Sequence, residues 1–357
     1  MSRFLNAQFQ GLAAYTPGEQ PRDMQYIKLN TNESPYPPAP PVAAALARED
    51  VENLRLYSDP TAKGLKDALA GLYGLKPENV FVSNGSDEIL NFAFMAFGGR
   101  GVAYPDISYG FYPVYGRLYG LDCAEMPLKE DFSIDPADYH SLNKMVVIAN
   151  PNAPTGMSLS LEDIEGILKT NPDGLVLMDE AYVDFGGESA LPLLETYDNL
   201  LICRTFSKSR CMAGARLGYA MASPGIIEDL EKIKFSTNPY NVNRLTLKLG
   251  EATVAAEDYY REKCDAVIAT RARTAQRLKE LGFEVLPSQT NFLFARTEKM
   301  EGGALYQALK ERGILVRHFD KPRIQDFIRI TIGTDDQMDV FVDTVDRIIR
   351  LEKEEKL

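Results

Sequence analysis

The chain has 357 residues, 45% hydrophobic and 25% charged, with 39 basic against 51 acidic side chains and a formal net charge of −12. That length predicts a large domain with a smaller companion, and the acidic balance argues against nucleic acid or an anionic membrane as the main partner. Four widely spaced cysteines without a CxxC pair point to a reducing, cytoplasmic setting, and two histidines make a histidine-rich metal site improbable.

Residues 1–27 show little periodicity and are expected to form an arm. They lack the apolar core of a secretion signal, and no apolar run in the chain approaches the roughly 20 residues that span a bilayer. The prolines between Pro35 and Pro41 predict an extended loop, because so many cannot continue a helix or a central strand. From about residue 60, short apolar runs at 80–82, 101–104, 145–149, 175–178 and 200–203 alternate with helical patterns. In one of these, Ser160 and Asp163 suit a capping box, and Leu161, Ile164, Ile167 and Leu168 share a face. Short buried strands alternating with helices predict an α/β architecture, a mostly parallel sheet covered on both faces, over residues 28–243. After Asn243 the pattern is a long charged amphipathic helix to about Glu280. Strands at 283–286, 291–295, 314–316 and 327–332, a helix at 304–311 and a closing helix from Asp339 predict a smaller α+β domain over residues 244–357.

Ligands of a parallel α/β sheet collect at the carboxyl ends of its strands, and the unusual loops fall there. The most informative is Thr205-Phe206-Ser207-Lys208, with Arg216 eight residues on. A lysine ending a buried strand between hydroxyls reads as a Schiff-base lysine, since an amine attacks an aldehyde only when it can lose its proton, and burial beside another cation lowers its pKa. Arg216, Thr205 and Ser207 would hold a doubly charged phosphate. The cofactor that needs both is pyridoxal 5′-phosphate. Gly85, Ser86 and Asp87 open a helix whose backbone N–H groups suit a phosphate, although Asn-Gly-Ser-Asp is also an ordinary turn. Tyr109 offers a ring to stack on a planar cofactor, or simply core packing. The two prolines around Asn152 stiffen a loop that could place its amide beside a phenolate. Asp179 is either a helix N-cap or the carboxylate that keeps a pyridine nitrogen protonated. The spacing of 29 residues from Asp179 to Lys208 fits one strand-helix-strand step and favours the cofactor reading.

With these motifs in order, the chain resembles the fold-type I pyridoxal-phosphate enzymes of the class I/II aminotransferases, and most closely the histidinol-phosphate aminotransferases. The likeness runs from Lys28-Leu29-Asn30-Thr31-Asn32-Glu33-Ser34-Pro35 through Tyr57-Ser58-Asp59-Pro60 and Asp179-Glu180-Ala181-Tyr182 to Phe327-Ile328-Arg329-Ile330-Thr331. It implies Lys208 as the covalent attachment and proton carrier, Asp179 on the pyridine nitrogen, and Tyr182 with Asn152 at the phenolic oxygen. Gly85, Ser86, Asp87, Thr205, Ser207 and Arg216 would surround the phosphate, with Tyr57 supplied by the neighbouring subunit of a homodimer. Tyr109 would stack on the ring, and Arg329, Arg317 and Asn32 would meet the substrate. The implied reaction is amino transfer from L-histidinol phosphate to 2-oxoglutarate, a step of histidine biosynthesis. An aromatic-amino-acid aminotransferase, a threonine-phosphate decarboxylase and a non-catalytic binding module are the alternatives. Two stretches depart from the pattern: Ala153 stands where many relatives have asparagine, and Ser209-Arg210-Cys211-Met212 replaces the usual Ala-Phe-Gly-Leu.

Overall fold

Seven strands make the main sheet of the computed structural model, which describes residues 4–355. Their order is Val80–Ser83, Gly218–Ala222, Leu200–Thr205, Val176–Asp179, Met145–Ala149, Val102–Pro105 and Cys123–Met126. Only Gly218–Ala222 runs antiparallel to its neighbours. Alternate residues of each strand enter two different cores. Val146, Ile148, Met178 and Ile202 pack with Leu65, Leu69, Ile164 and Ile167 on one face, whereas Val147, Leu177, Leu201 and Phe81 pack with Ile89, Leu90, Phe94 and Leu230 on the other. Burying each such aliphatic side chain is worth about 1.5 to 3 kcal/mol. Two-sided burial is why these strands read as continuous apolar runs. The expected capping box is formed: Ser160 Oγ accepts from the Asp163 backbone N–H at 3.1 Å, and Asp163 Oδ2 accepts from the Ser160 backbone N–H at 3.3 Å.

A second, antiparallel sheet has the order Arg317–His318, Ile328–Thr331, Phe292–Arg296, Glu284–Val285. Helices Glu257–Glu280, Gly302–Glu311 and Asp335–Glu355 lie in the same C-terminal part of the chain and share a core with it. Ile27–Lys28 pairs in parallel with Ile314–Leu315, and Leu29 enters that core. The start of the chain is thereby tied to its C-terminal part.

The structure departs from the sequence-based expectation in several places. The single helix expected after Asn243 is two, Arg244–Val254 and Glu257–Glu280, interrupted at Ala255 and Ala256. Helix Pro40–Ala44 begins inside the proline-rich stretch, where proline is tolerated because a first-turn N–H has no intrahelical partner. Strands Cys123–Met126 and Gly218–Ala222 were not anticipated. The first is a half-buried edge with little apolar signal. The second depends on Gly218, where a Cβ would lie 2.5 Å from the Gly85 carbonyl carbon. The closing helix begins at Asp335 rather than Asp339.

Candidate active site

The carboxyl ends of the central strands converge on a cavity of about 330 Å³ whose walls include Ser86, Asp87, Tyr109, Asp179, Tyr182, Thr205, Ser207, Lys208 and Arg216. A second cavity of about 510 Å³ adjoins it and shares Tyr109, Tyr182 and Lys208, adding Asn32, Arg317, Arg329 and arm residues Ala13 to Thr16. Nearly every position singled out from the sequence therefore faces one continuous space.

Asp179 ends its strand in full burial. Oδ2 accepts from the Tyr112 phenol at 3.0 Å, and Oδ1 accepts from the Ala181 backbone N–H at 3.2 Å. Among the described residues it has no ion-pair partner, and burial lifts its pKa to about 6 against the opposing pull of those two hydrogen bonds. A buried carboxylate held this way lacks a cationic neighbour, and a protonated ring nitrogen would supply one.

Lys208 ends the segment that follows the next strand. Its Nζ donates to the Thr31 carbonyl at 3.2 Å and stands 5.8 Å from the centre of the Tyr182 ring. Burial first, and the Arg329 guanidinium second, lower its pKa to about 8, while Glu33 and Asp87 oppose. The amine is thus close to losing its proton near neutrality, as a carbonyl-attacking nucleophile requires.

The end of the cavity beside Arg216 has a tight backbone. Gly85 sits at φ +76°, and a Cβ there would come within 2.7 Å of the Arg216 guanidinium. Helix Ser86–Phe97 starts at this point, so its first N–H groups point outward beside that guanidinium. Arg216 is itself left-handed, at φ +54°, and its Nη2 pairs with Asp87 Oδ2 at 3.1 Å. Thr205 Oγ1 donates to Ser207 Oγ at 3.0 Å and accepts from the Ser207 backbone N–H at 3.1 Å, which fixes both hydroxyls at the strand end. The Tyr109 phenol donates to Asp87 Oδ1 at 2.8 Å, holding its ring over the cavity. Gly85, Ser86, Thr205, Ser207 and Arg216 fit a dianion at one end, while Asp179 fits a ring cation at the other.

Arg329 lies between the rings of Phe292 and Phe319, 5.3 and 5.5 Å from their centres, and its Nη2 donates to the Asn30 carbonyl at 3.0 Å. Its Nε is buried and has no hydrogen-bond partner among the described residues. Burial lowers its pKa, yet a guanidinium stays protonated. Arg317 reaches the carbonyls of Pro17 and Thr16 at 3.5 and 3.4 Å. The arm, expected only as an unpatterned leader, is a wall of the site: Tyr15 stacks on Phe111 at 4.2 Å, and Glu19 pairs with Lys310 at 2.5 Å.

Two expected residues stand apart. Tyr57 lines neither cavity; it is 77% exposed and stacks on Tyr240 at 4.4 Å. Asn152 does not carry its amide to the phenolic end of the cavity. Its Nδ2 donates to the Ile107 carbonyl and to Thr155 Oγ1, both at 3.0 Å, and its Oδ1 accepts from Ser108 Oγ at 2.7 Å. Every polar atom of that amide is engaged in stiffening the loop, and the adjacent Ala153 meets the cavity instead.

Sequence reasoning missed Tyr112 and a buried charge network behind the lysine strand. Arg204 pairs with Glu180 at 2.8 Å and donates to Tyr73 at 3.1 Å, and Ser209 Oγ donates to Asp184 Oδ2 at 2.5 Å. The departure at residues 209–212 is thereby accounted for in part, since Arg210 also pairs with Glu257 in burial. Charged residues inside apolar strands were the available signal.

Residues 24–345 match the model of the family described as aminotransferase class I and II. A histidinol-phosphate aminotransferase from Brachyspira hyodysenteriae is 48% identical over 98% of this chain and 100% of its own length. One from a Marinomonas species is 52% identical over 95% of this chain and 97% of its own. Among solved structures, the histidinol-phosphate aminotransferase of Sinorhizobium meliloti, crystallised with pyridoxal-5′-phosphate, superposes with a TM-score of 0.83 at 27% identity, covering 91% of this chain and 92% of that one. With a buried anion for the ring, a near-neutral lysine and a cationic cup in one cavity, this chain belongs to the class I and II aminotransferase family and is a pyridoxal-phosphate-dependent enzyme.

Proposed function

We propose that the enzyme moves the amino group of L-histidinol phosphate to 2-oxoglutarate, giving imidazole-acetol phosphate and L-glutamate. The observation that carries the reading is the cationic chamber beside Lys208, where Arg329 and Arg317 face the space next to the cofactor cavity. Both substrates have an anionic end, and one guanidinium serves each in turn. The identity of about 50% over nearly full length to relatives named for this activity supports the same substrate.

Pyridoxal phosphate, when bound, supplies an aldehyde carbon that accepts the amino group and a ring that draws electrons from the substrate carbon. The remaining roles belong to this chain. Lys208 would hold the aldehyde end of the cofactor, and its Nζ as a free amine would move the proton of the substrate carbon, a task suited to an amine with pKa about 8. Asp179 would keep the ring nitrogen protonated. Arg216, Thr205, Ser207 and the N–H groups of residues 85–87 would hold the phosphate, and Tyr109 would cover the ring. Arg329, Arg317 and Asn32 face the substrate. Tyr57 is exposed because its partner is the phosphate cup of a second copy, so the working form is a homodimer in the cytoplasm. Its large part corresponds to residues 28–243 and its small part to residues 244–357.

A donor panel tests the substrate. Histidinol phosphate is expected to exceed phenylalanine, tyrosine and threonine phosphate in kcat/KM with 2-oxoglutarate as acceptor. Phenylalanine as the best donor, or release of carbon dioxide from threonine phosphate, would overturn this choice and leave the family assignment standing.

A further inference from the structure

On the reading that Tyr182 stands beside the phenolic oxygen of the cofactor, we infer that Asn32 is a positioning residue that turns the Tyr182 hydroxyl proton into the cavity. Asn32 is fully buried at φ +56°, a left-handed conformation that asparagine accepts more readily than most residues. Its Nδ2 donates to the Tyr182 hydroxyl oxygen at 2.9 Å. That oxygen has one proton and, because it accepts from the amide, must direct the proton elsewhere. Among the described residues the Tyr182 hydroxyl donates to nothing, and both cavities open beside it.

The polarity of this contact is fixed by the far end of the amide. The Asn32 backbone N–H donates to Thr331 Oγ1 at 3.0 Å, and Thr331 Oγ1 sends its only proton to Asn32 Oδ1, also at 3.0 Å. A flipped amide would leave that threonine proton without an acceptor. The Asn32 carbonyl accepts from Asn291 Nδ2 at 3.0 Å, a third clamp from the residue just before strand Phe292–Arg296 of the second sheet. The C-terminal sheet thus reaches across to set the direction of a phenol at the end of the main sheet. Neither Asn152, whose amide is engaged by Ile107, Ser108 and Thr155, nor Ala153, which has none, could do this.

Among the described residues, Lys208, Arg329, Asp179, Asp87, Tyr15 and Tyr109 are the other charged or titratable groups that face Tyr182. Burial raises its pKa, and Arg329 and the Asn32 amide oppose that rise. A hydroxyl donated to a phenolate favours the anion, so removing it raises the pKa of the proton shared between the cofactor and Lys208.

The test is a spectrophotometric pH titration of the cofactor-loaded protein, read at the visible band. Tyr182→Phe is expected to move the midpoint upward by about one unit. Asn32→Asp is isosteric and reverses the contact, drawing the tyrosine proton to itself. It should move the midpoint as far in the same direction, and add nothing in the Tyr182→Phe background. Asn32→Gly keeps the left-handed backbone, removes the amide, and should give a smaller shift of the same sign. If Asn32→Asp shifts the midpoint equally with and without the Tyr182 hydroxyl, the effect is a through-space charge and the inference is overturned. An unmoved midpoint in both Asn32 variants beside a shifted Tyr182→Phe overturns it as well. A midpoint unmoved by Tyr182→Phe instead removes the reading of Tyr182 on which the inference rests.

Discussion

Tyr112 donates its phenolic proton to Oδ2 of Asp179 at 3.0 Å, from a fully buried position on helix Tyr112–Tyr119. Among the described residues, one neutral donor and one backbone N–H answer this buried carboxylate, and burial places its pKa near 6, above the ordinary carboxylate range.

The cofactor-free protein should therefore pay a pH-dependent penalty at Asp179. Because the folded pKa is raised above the ordinary value of 3.8, the contribution of this group is full below about pH 4 and is lost as pH rises through about 6. Urea unfolding of the cofactor-free protein should show Asp179→Asn gaining about 1 to 3 kcal/mol on the wild type across that window. Above it the offset should stay constant, while turnover of the loaded variant collapses. Parallel stability curves for the two proteins from pH 4 to 7 would show that the carboxylate is compensated after all.

Lys208 has the opposite sign. Its folded pKa of about 8 lies below 10.5, so its stability contribution is present at high pH and lost as pH falls through about 8. Covalent capture of pyridoxal phosphate should accelerate with pH around a midpoint near 8. Borohydride reduction followed by peptide mapping should label Lys208, and Lys208→Ala should lose label and turnover while remaining folded. A label on Lys63 or Lys234 would displace the assignment.

Truncating Arg329 should damage both half-reactions. Loss of a charge-assisted contact worth about 3 kcal/mol corresponds to about a 100-fold fall in kcat/KM for histidinol phosphate and for 2-oxoglutarate alike. Stopped-flow measurement of each half-reaction of Arg329→Ala checks this. A loss confined to one substrate would mean that separate groups receive the two anions.

Tyr57→Phe removes a hydroxyl from a ring that is 77% exposed in the single chain. Folding stability should be unchanged, and affinity for the cofactor phosphate should fall by about 1 kcal/mol, the worth of one hydrogen bond. Equilibrium dialysis of cofactor, with sedimentation of the active species, decides between the outcomes. A fully active monomer would end the role given to this residue.

Arg204 and Glu180 form a buried pair at 2.8 Å behind the lysine strand. Arg204→Met leaves Glu180 charged inside the protein without its cationic partner, held by Ser189 Oγ at 2.8 Å and the Ala190 backbone N–H at 2.6 Å, at a cost of about 3 to 5 kcal/mol. Changing Glu180 to Gln in that background should recover part of it. A single variant as stable as the wild type in urea would argue that water reaches Glu180.

The sequence by itself determined the alternation of buried strand and helix, the capping box at Ser160, and the chemical order of the strand-end loops. These follow from local rules: hydrophobic period, cap geometry, and residue types such as Lys208 and Asp179 that are costly where they stand unless they have work to do. Boundaries slipped by a few residues where Ala255-Ala256 broke a helix without proline or glycine. Strand Gly218–Ala222 was hidden because its need is a close approach to Gly85, a contact between positions 133 residues apart.

What only the tertiary structure decided is which polar group faces which. Asn152 had the right chemistry and the right loop, but its amide turned inward to Ile107, Ser108 and Thr155. The amide that does meet Tyr182 comes from Asn32, 150 residues away, clamped by Thr331 of the second sheet and by Asn291 just before its strand Phe292–Arg296. The arm acquired its place in the same way, through Tyr15 on Phe111 and Glu19 on Lys310. A hydrogen bond is directional and short, so its partner is set by where the folded chain delivers two atoms to within about 3 Å. Periodicity along the chain carries information about which face is buried, and none about which distant donor arrives there.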